Sequence, residues 1–205
     1  MKLFYAPGAC SIGIHVLLEE IGKPYELHKL DLRGGEQYKP PFVELNPKSK
    51  VPTLQRDDGS VLTEFPVIAH WLGETHPEAG LMLPDKEAAL RASEAMDYAV
   101  STIHMQGFSR LFRPTNYSPS GADEDAVKAR GKELVEKGFN ILAHALGSHD
   151  YIGGSFSIAD AALFYVEFWG ATRMGMTLPA PLDKHFERLT ARPAIAAVLK
   201  QEGFA

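Results

Sequence analysis

The chain has 205 residues, of which 45% are apolar and 23% charged, and it carries a formal net charge of −5. These values are ordinary for a soluble globular protein, and the length allows one large domain or two small ones. No long basic stripe and no apolar run of roughly 18 residues occurs, so neither a nucleic-acid partner nor a membrane span is expected. The single cysteine excludes an internal disulfide, and Pro7-Gly8 come too early for a signal peptide, so we expect a cytoplasmic location.

The first segment predicts two short strands connected by a helix. Residues 2–6 (KLFYA) have the pattern of a strand that ends at Pro7-Gly8, and residues 25–32 (YELHKLDL) that of a second strand. Between them, apolar residues recur at helical spacing as far as Gly22. These residues are Ile14, Leu17, Leu18 and Ile21. Because a helix connects the two strands, they should run parallel.

A hairpin and a further helix are predicted next, after a short helix near Phe42–Leu45. Residues 51–63 (VPTLQRDDGSVLT) contain an Asp-Gly pair at 58–59, which suits a tight two-residue turn between antiparallel strands. Thr63 is a candidate N-cap for the following helix, which would have Pro66 in its first turn. The predicted order is therefore β-α-β followed by β-β-α.

The segment 73–85 (GETHPEAGLMLPD) is rich in glycine and proline and is the best candidate for a domain boundary. We predict a first domain at residues 1–76, a linker at 77–85 and an all-helical domain at 86–205. Helices are predicted at about 86–112, at about 123–146, from Ser157 onwards, and on either side of Arg192-Pro193.

The helix that begins near Ser157 has a well-specified start. Ser157 with Asp160 three residues later resembles a capping box, with Asp in place of Glu. The residues behind it are apolar on nearly every side of the helix. They include Ile158, Ala161, Leu163, Phe164, Val166, Phe168 and Trp169. Such a helix is expected at the centre of a bundle.

The single cysteine, Cys10, lies between the Pro7-Gly8 turn and the first predicted helix. A helix N-terminus carries about half a positive charge and N–H groups without helical partners, so it stabilises an anion placed there. We therefore expect the site to favour negative charge on sulfur, either by lowering the pKa of Cys10 or by stabilising the thiolate of a bound molecule. The alternative is a small, inert, buried cysteine.

The motif CSIG limits the chemistry that Cys10 can perform. A thioredoxin-like redox site would be Cys-x-x-Cys, whereas Gly13 stands where the second cysteine would be. Thiol exchange between two cysteines of the chain is therefore excluded. A mixed disulfide with an external thiol remains open. So does stabilisation of a bound thiolate by Cys10, by the Ser11 hydroxyl or by backbone N–H groups.

Two further features indicate a peptide-like, zwitterionic ligand. A cis Val51-Pro52 bond at the start of a strand would turn the Val51 N–H and C=O outward to pair with an extended peptide, although an ordinary trans proline is the commoner case. Glu64 lies where the hairpin meets the next helix. Its carboxylate could hold an ammonium group beside a carboxylate bound at the helix end, or simply favour the helix dipole.

Together these features resemble the cytosolic glutathione S-transferases, most of all the bacterial beta class. The resemblance runs through KLFYAPGACS, NPKSKVPTL, DDGSVLTEFPVIAHWL, GFSRLFRP and FSIADAALF. It implies an α/β thioredoxin-like N-terminal domain (βαβ-ββα) followed by an all-α helical-bundle C-terminal domain. It also implies a homodimer that uses glutathione as co-substrate and no metal.

The resemblance also implies the site residues. The catalytic residues would be Cys10, Ser11 and His104. The glutathione-binding residues would be Tyr5, Ala9, Lys50, Val51, Pro52, Glu64 and Phe65. The pocket for a small hydrophobic electrophile would contain Met105, Phe108, Phe112, Tyr117 and Trp169, although aromatic residues at helical spacing are also typical of a core.

Several positions depart from the family pattern. Phe65 stands where Ser or Gly is usual, and Lys50 would replace a lysine that is missing after the second strand. HMQGF contains one residue more than the usual spacing between His104 and Gly107. Counted forwards from Tyr98, His104 stands at the position of the family's histidine. Counted back from Gly107, Met105 stands there instead, so both residues remain candidates.

The expected function is that of a glutathione transferase, which stabilises the glutathione thiolate for attack on the electrophile. Glutathione-dependent thiol–disulfide exchange is a second expected activity. The alternative from a different class is a non-catalytic ligand carrier or protein-interaction scaffold on the same fold. A glutathione-dependent isomerase is a third reading. The spacing of the other histidines does not form a metal-binding motif.

Overall fold

The computed structural model describes residues 1–118 and 120–205. Packing divides the chain into two compact units, the first formed by Met1–Met82 with Arg188–Ala205 and the second by Leu83–Glu187. The C-terminal stretch therefore packs with the N-terminal residues, whereas the sequence placed it in the helical domain. No helix in the described ranges is long and apolar enough to span a bilayer.

Four strands form one mixed sheet within the described part of the first unit. They are β1 (Lys2–Tyr5), β2 (Glu26–Lys29), β3 (Thr53–Gln55) and β4 (Val61–Thr63). The strand order is β2-β1-β3-β4, with β1 parallel to β2 and antiparallel to β3, and β3 antiparallel to β4. Leu3 in β1 pairs with Leu54 in β3, and both side chains are fully buried. The predicted βαβ-ββα order is confirmed.

Helices connect the strands and form the second unit. In chain order they are α1 (Ser11–Ile21), α2 (Phe42–Leu45), α3 (Phe65–Thr75), α4 (Lys86–Tyr98), α5 (Ser109–Phe112), α6 (Glu124–Leu146), α7 (Ile158–Phe168), α8 (Ala180–Thr190) and α9 (Pro193–Glu202). In the first unit, α1 packs against β1, α3 and α9. The apolar face predicted for α1 is buried as far as Leu18, because it covers the sheet.

The turn between β3 and β4 differs from the prediction. A tight two-residue turn of the predicted type needs positive φ at both central residues, but of these two only Gly59 has it (φ +83°). The Arg56 N–H donates to the Ser60 carbonyl at 2.8 Å, and the Gly59 N–H donates to the Arg56 carbonyl at 3.0 Å. A three-residue loop of 57–59, closed by a left-handed glycine, therefore connects the strands.

The predicted long helix of the second unit is continuous but not α-helical throughout. After α4 the chain forms a π-helical segment at Ala99–Phe108 and then enters α5. A π-helical turn holds more residues than an α-helical one, and this segment includes the extra residue noted between His104 and Gly107. A second π-helical segment, Trp169–Arg173, follows α7. Such turns are frequent at functional sites, and both segments contain predicted pocket residues.

Helix α7 is buried along its whole length, as its apolar surface predicted. The predicted capping box is confirmed: the Ser157 Oγ accepts from the Ala159 N–H at 3.3 Å, and the Asp160 carboxylate accepts from the Ser157 N–H at 2.8 Å. Two acidic residues of α7, Asp160 and Glu167, are fully buried and contact His185 of α8. The core of the second unit therefore includes a charged cluster that the sequence analysis did not anticipate.

Candidate active site

Cys10 is the N-cap residue of α1. The residue is partly exposed, and its Sγ donates a weak, partly buried hydrogen bond to the Val51 carbonyl at 3.3 Å. Burial raises the pKa of the Cys10 thiol to about 12, since the backbone N–H groups of Cys10 and Ser11 and the charge of Lys50 oppose burial only in part. The expectation of a lowered pKa is therefore wrong for this thiol. At pH 7 only about one molecule in 10⁵ would carry a Cys10 thiolate.

Ser11 is the first residue of α1, and its hydroxyl contacts the loop between β1 and α1. Its side chain is fully buried. The Oγ accepts from the Ala6 N–H at 3.3 Å and donates to the Ala6 carbonyl at 3.4 Å. The hydroxyl therefore holds the chain entering Cys10, and its predicted position beside a bound sulfur is not supported.

The Val51-Pro52 peptide bond is cis, as predicted, and so is Pro40-Pro41. The Val51 side chain packs against the apolar cluster of Phe4, Leu30 and Phe42. Its carbonyl accepts from Cys10, and its N–H has no hydrogen-bond partner among the residues that the structure describes. A backbone N–H and C=O of this kind can pair with an extended peptide.

The loop before Pro52 is held by Asn46, a buried residue that the sequence analysis missed. The Asn46 amide donates to the Lys50 carbonyl at 2.9 Å and to the Thr53 hydroxyl at 2.8 Å, and its oxygen accepts from the Lys48 N–H at 3.1 Å. The Asn-Pro dipeptide marks a turn in the sequence. It gives no sign that the side chain would bridge the loop.

Glu64, rather than the predicted Thr63, is the N-cap residue of α3. Its backbone has φ +69°, an uncommon value for a residue other than glycine and one that is concentrated at functional sites. The Glu64 carboxylate is exposed, and its Oε1 pairs with the Lys48 Nζ at 2.8 Å. Lys48 also donates to the Thr63 hydroxyl at 2.8 Å. Lys48 was not among the predicted site residues.

The remaining residues predicted to bind glutathione differ in accessibility. The Phe65 side chain is only 4% exposed, so its bulk is directed into the core and not onto the surface beside Glu64. Tyr5 is also buried. Lys50 is exposed, and Ala9 is partly accessible.

A carboxylate from the C-terminal helix reaches the loop that carries Cys10. In α9, Glu202 is buried; its Oε2 accepts from the Gly8 N–H at 2.7 Å and its Oε1 lies 2.9 Å from His15 Nδ1. The other ring nitrogen of His15 faces Gln201 at 2.9 Å and Tyr25 at 3.0 Å. The sequence analysis did not identify His15 or Glu202 as neighbours of the site, because nothing in the pattern reveals contacts between segments nearly 200 residues apart.

Four of the residues predicted in the second unit form an aromatic cluster together with Tyr165, which was not predicted. The cluster is defined here as His104, Phe108, Phe112, Tyr165 and Trp169. The His104 ring is 4.7 Å from Trp169, and its Nδ1 lies 3.4 Å from the Tyr165 hydroxyl. Phe112 is 5.6 Å from Phe108 and 5.3 Å from Trp169. Phe108 and Trp169 are buried, whereas Phe112 is 38% exposed. Only Phe112 of these three therefore offers much surface to a ligand.

The structure distinguishes His104 from Met105, the two candidates left open by the spacing. His104 lies within the aromatic cluster, where its ring contacts Tyr165 and Trp169. Met105 is 37% exposed, and its carbonyl accepts from the Tyr117 hydroxyl at 3.3 Å. Tyr117 is itself exposed and is 4.3 Å from the Arg110 guanidinium carbon.

Comparisons with known proteins agree with this arrangement. Family models for the glutathione S-transferase N-terminal domain and C-terminal domain match residues 8–75 and 125–201. The chain is 34% identical to glutathione S-transferase GstA of Escherichia coli O157:H7 over 99% of both chains. A Sulfitobacter glutathione transferase homologue with bound glutathione superposes with a TM-score of 0.91 at 29% identity, over 100% of this chain and 98% of that one. The beta-class enzyme of Sphingomonas chungbukensis superposes with a TM-score of 0.85 at 32% identity, over 100% of both chains.

The chain belongs to the glutathione S-transferase family. The family matches account for both the sheet-containing first unit and the helical second unit. The resemblance found in the sequence, including its likeness to bacterial beta-class members, is confirmed.

Proposed function

We propose that this transferase joins glutathione to a small hydrophobic electrophile, with Cys10 as a hydrogen-bond donor to the glutathione sulfur and not as the nucleophile. The observation that carries the proposal is the 3.3 Å contact between Cys10 Sγ and the Val51 carbonyl. It places a protonated thiol beside a backbone segment that can pair with a peptide. Bound glutathione in the Sulfitobacter homologue supports glutathione as the co-substrate.

In this proposal the first unit binds glutathione through complementary groups. The Val51 N–H and C=O pair with its cysteinyl backbone, and Lys50 meets its glycyl carboxylate. The γ-glutamyl carboxylate binds at the N-terminus of α3, at the Phe65 N–H. Glu64 accepts a hydrogen bond from the ammonium group. Of the two carboxylate oxygens of Glu64, Lys48 contacts only Oε1 among the described residues, so Oε2 can accept from this second donor.

The reaction follows from the placement of the thiol at the helix start. Glutathione loses its thiol proton to solvent, and the positive end of the α1 dipole stabilises the resulting thiolate. The Cys10 thiol, kept protonated by its raised pKa, redirects its hydrogen from Val51 to the bound sulfur. The thiolate then attacks the electrophilic carbon, a new S–C bond forms, and the leaving group departs with its electron pair.

The raised pKa of Cys10 disfavours thiol–disulfide exchange by this thiol. Exchange requires a thiolate as the attacking group. Since the Cys10 thiol is almost entirely protonated near neutral pH, it attacks a disulfide slowly. We therefore propose conjugation as the principal activity.

The remaining parts of the proposal rest on family membership. We propose that residues 1–76 bind glutathione and that the part of residues 86–205 that lies in the second unit contains the pocket for the electrophile. We also propose that two copies of the chain form a homodimer that acts in the cytoplasm. His104 contributes to the pocket as part of the aromatic cluster.

Calorimetric titration with glutathione and a conjugation assay test the proposal on wild type, Cys10→Ala and Cys10→Ser. All three should bind glutathione. The pKa of the bound glutathione thiol, followed by ultraviolet absorbance of the thiolate, should rise in Cys10→Ala by about 1–2 units, because a hydrogen bond to a charged group is lost. Cys10→Ser, which retains a donor, should restore most of the difference.

The outcomes separate the proposal from its alternatives. Flat titrations for all three proteins would overturn the glutathione-dependent function and favour a carrier or scaffold. Conjugation that disappears in both Cys10 variants, together with a Cys10–glutathione adduct by intact mass, would instead make Cys10 the nucleophile.

A further inference from the structure

Lys48 is held at both its backbone and its side chain, although about half of the side chain is exposed. Its N–H donates to the Oδ1 of Asn46, a buried residue, at 3.1 Å. Its Nζ donates to the Thr63 hydroxyl and to Glu64 Oε1, each at 2.8 Å. The ammonium group of Lys48 therefore has a defined position beside Glu64, which a surface lysine with a single acceptor lacks.

Glu64 is fixed in place before a ligand binds. Its φ of +69° sets the direction in which the side chain leaves the backbone, and its carbonyl accepts from the Ile68 N–H at 3.0 Å in the first turn of α3. Among the residues that the structure describes, no cationic side chain other than Lys48 pairs with the Glu64 carboxylate. The charge of this carboxylate is therefore already partly balanced by the chain itself.

A second lysine in the same loop has a different environment. Lys50 is exposed, and its charge acts on the Cys10 sulfur, as does the opposite charge of Glu64. Within the described part of the chain, Lys50 makes no ion pair with Glu64. The loop thus contains two lysines two positions apart, of which only Lys48 pairs with the carboxylate proposed to bind the ammonium group of glutathione.

We infer that Lys48 is an internal counterion of Glu64 that allows the γ-glutamyl subsite to accept ligands without a free ammonium group. This inference rests on the proposed function and specifies which co-substrates its site tolerates. A bound ligand removes water from Glu64, and a carboxylate without a cation then disfavours any ligand that brings none. With Lys48 in place, Glu64 keeps one charged donor whichever ligand binds, so the ammonium group of glutathione adds less to affinity. Lys48 therefore determines specificity through Glu64.

Calorimetric titration with a matched pair of ligands tests the inference. Glutaryl-cysteinylglycine differs from glutathione only in lacking the α-amino group, and the measured quantity is the Kd of this analogue divided by the Kd of glutathione. Lys48→Gln should raise the ratio about fivefold, the upper end of what an exposed ion pair contributes. Lys48→Arg, which keeps a cation beside Glu64, should leave the ratio close to that of wild type.

The matched control is Lys50→Gln, which removes the same charge from the same loop but no contact with Glu64. Both ligands carry the glycyl carboxylate proposed to meet Lys50, so their Kd values should rise by a similar factor and the ratio should stay nearly constant. An unchanged ratio in Lys48→Gln would overturn the inference. So would an equal increase in Lys50→Gln, because the net charge of the loop would then explain it.

A double variant shows whether Lys48 acts through Glu64. In a Glu64→Gln background the carboxylate is absent, so adding Lys48→Gln should change the ratio little. If it still raised the ratio fivefold, Lys48 would contact the ligand directly and the inference would be wrong.

The same titrations distinguish failure of the inference from failure of the proposed function. Wild type that binds neither ligand would overturn both. Glutathione binding with a ratio that is the same in wild type and Lys48→Gln would overturn the inference alone. The expected ratios in a protein that conjugates no electrophile would support the role of Lys48, and only the proposed transferase reaction would fail.

Discussion

Two buried histidines, one in each unit, contact buried carboxylates but hold different parts of the molecule. His15 in α1 has one carboxylate partner, Glu202, at 2.9 Å. His185 in α8 lies between two, with Glu167 at 2.8 Å and Asp160 at 3.1 Å. Both imidazoles are fully buried.

The difference lies in what the carboxylates do besides contacting the histidine. Glu202 also accepts from the Gly8 N–H, two residues before Cys10, so the first network reaches the proposed site. Asp160 also accepts from the N–H groups of Ile152 and Ser157, so the second network holds the start of α7. We therefore expect changes at Glu202 to alter glutathione binding and changes at Asp160 to alter stability alone.

The largest expected effect is that of Asp160→Ala. The variant loses the capping box, leaves the Ile152 N–H without its acceptor and removes one of the two carboxylates facing His185. Breaking a buried charged cluster by removing one member costs about 3–5 kcal/mol. The free energy of unfolding from urea denaturation should fall by that amount.

The control for this variant is Glu133→Ala, which removes an exposed carboxylate paired with Arg130. Surface pairs contribute at most about 1 kcal/mol, so stability should hardly change. If Asp160→Ala were no less stable than Glu133→Ala, the buried cluster would not be what holds the start of α7.

The two ends of the capping box illustrate what sequence predicts well. Ser157 and Asp160 are three residues apart, and local spacing of this kind determines which backbone groups the side chains reach. The partner of Asp160 on α8 is 25 residues away in the chain. No pattern within α7 indicates that His185 would face it, because that contact depends on how the helices pack.

The next effect is a pH dependence of stability that arises from His185. Burial alone would lower the pKa of His185, but the two carboxylates outweigh it and raise the pKa to about 9 from an ordinary 6.5. Between these values the folded protein binds more protons than the unfolded chain, so its stability falls as pH rises. We expect the free energy of unfolding to decrease by about 2 kcal/mol between pH 6.5 and 8.5.

Glu167 acts in the same direction at lower pH. Burial raises its pKa to about 7 although His185 opposes the shift, so its contribution to stability falls as pH rises from 4.5 to about 7. Urea denaturation across the pH range measures both effects. His185→Gln should lose the decrease in the free energy of unfolding above about pH 7.5, where the imidazole titrates. His15→Gln should retain this decrease. The same slope in both variants would assign the decrease to other groups.

Cys10 shows why its position, but not its ionisation, could be predicted. The Pro7-Gly8 turn and the helical spacing after it correctly place the cysteine at the start of α1. The dipole of that helix favours a thiolate by at most a few kcal/mol, and burial opposes it. The extent to which the sulfur is buried depends on the chain around Val51, 41 residues away. The effect of burial on the pKa of Cys10 is larger than that of the helix end, so the pKa is raised.

The smallest of these effects, and the one that separates the two networks most clearly, is that of Glu202→Gln. The variant keeps one acceptor oxygen but loses the charge shared by Gly8 and His15. We expect about 1–2 kcal/mol of lost stability, because charge-assisted hydrogen bonds become neutral ones. Since the Gly8 end of the loop is then held less firmly, the Kd for glutathione should rise by about fivefold in the calorimetric titration.

The decisive comparison uses a second variant of similar stability cost. Ile195→Val also lies in α9 and is fully buried, but it is an apolar change with no hydrogen bond to the loop of Cys10; it should cost about 1 kcal/mol. If Glu202 acts by positioning that loop, only Glu202→Gln should weaken glutathione binding and speed hydrogen exchange at the Gly8 amide. If both variants weakened binding equally, α9 would support the first unit only through packing, and the two histidine networks would differ in location but not in kind.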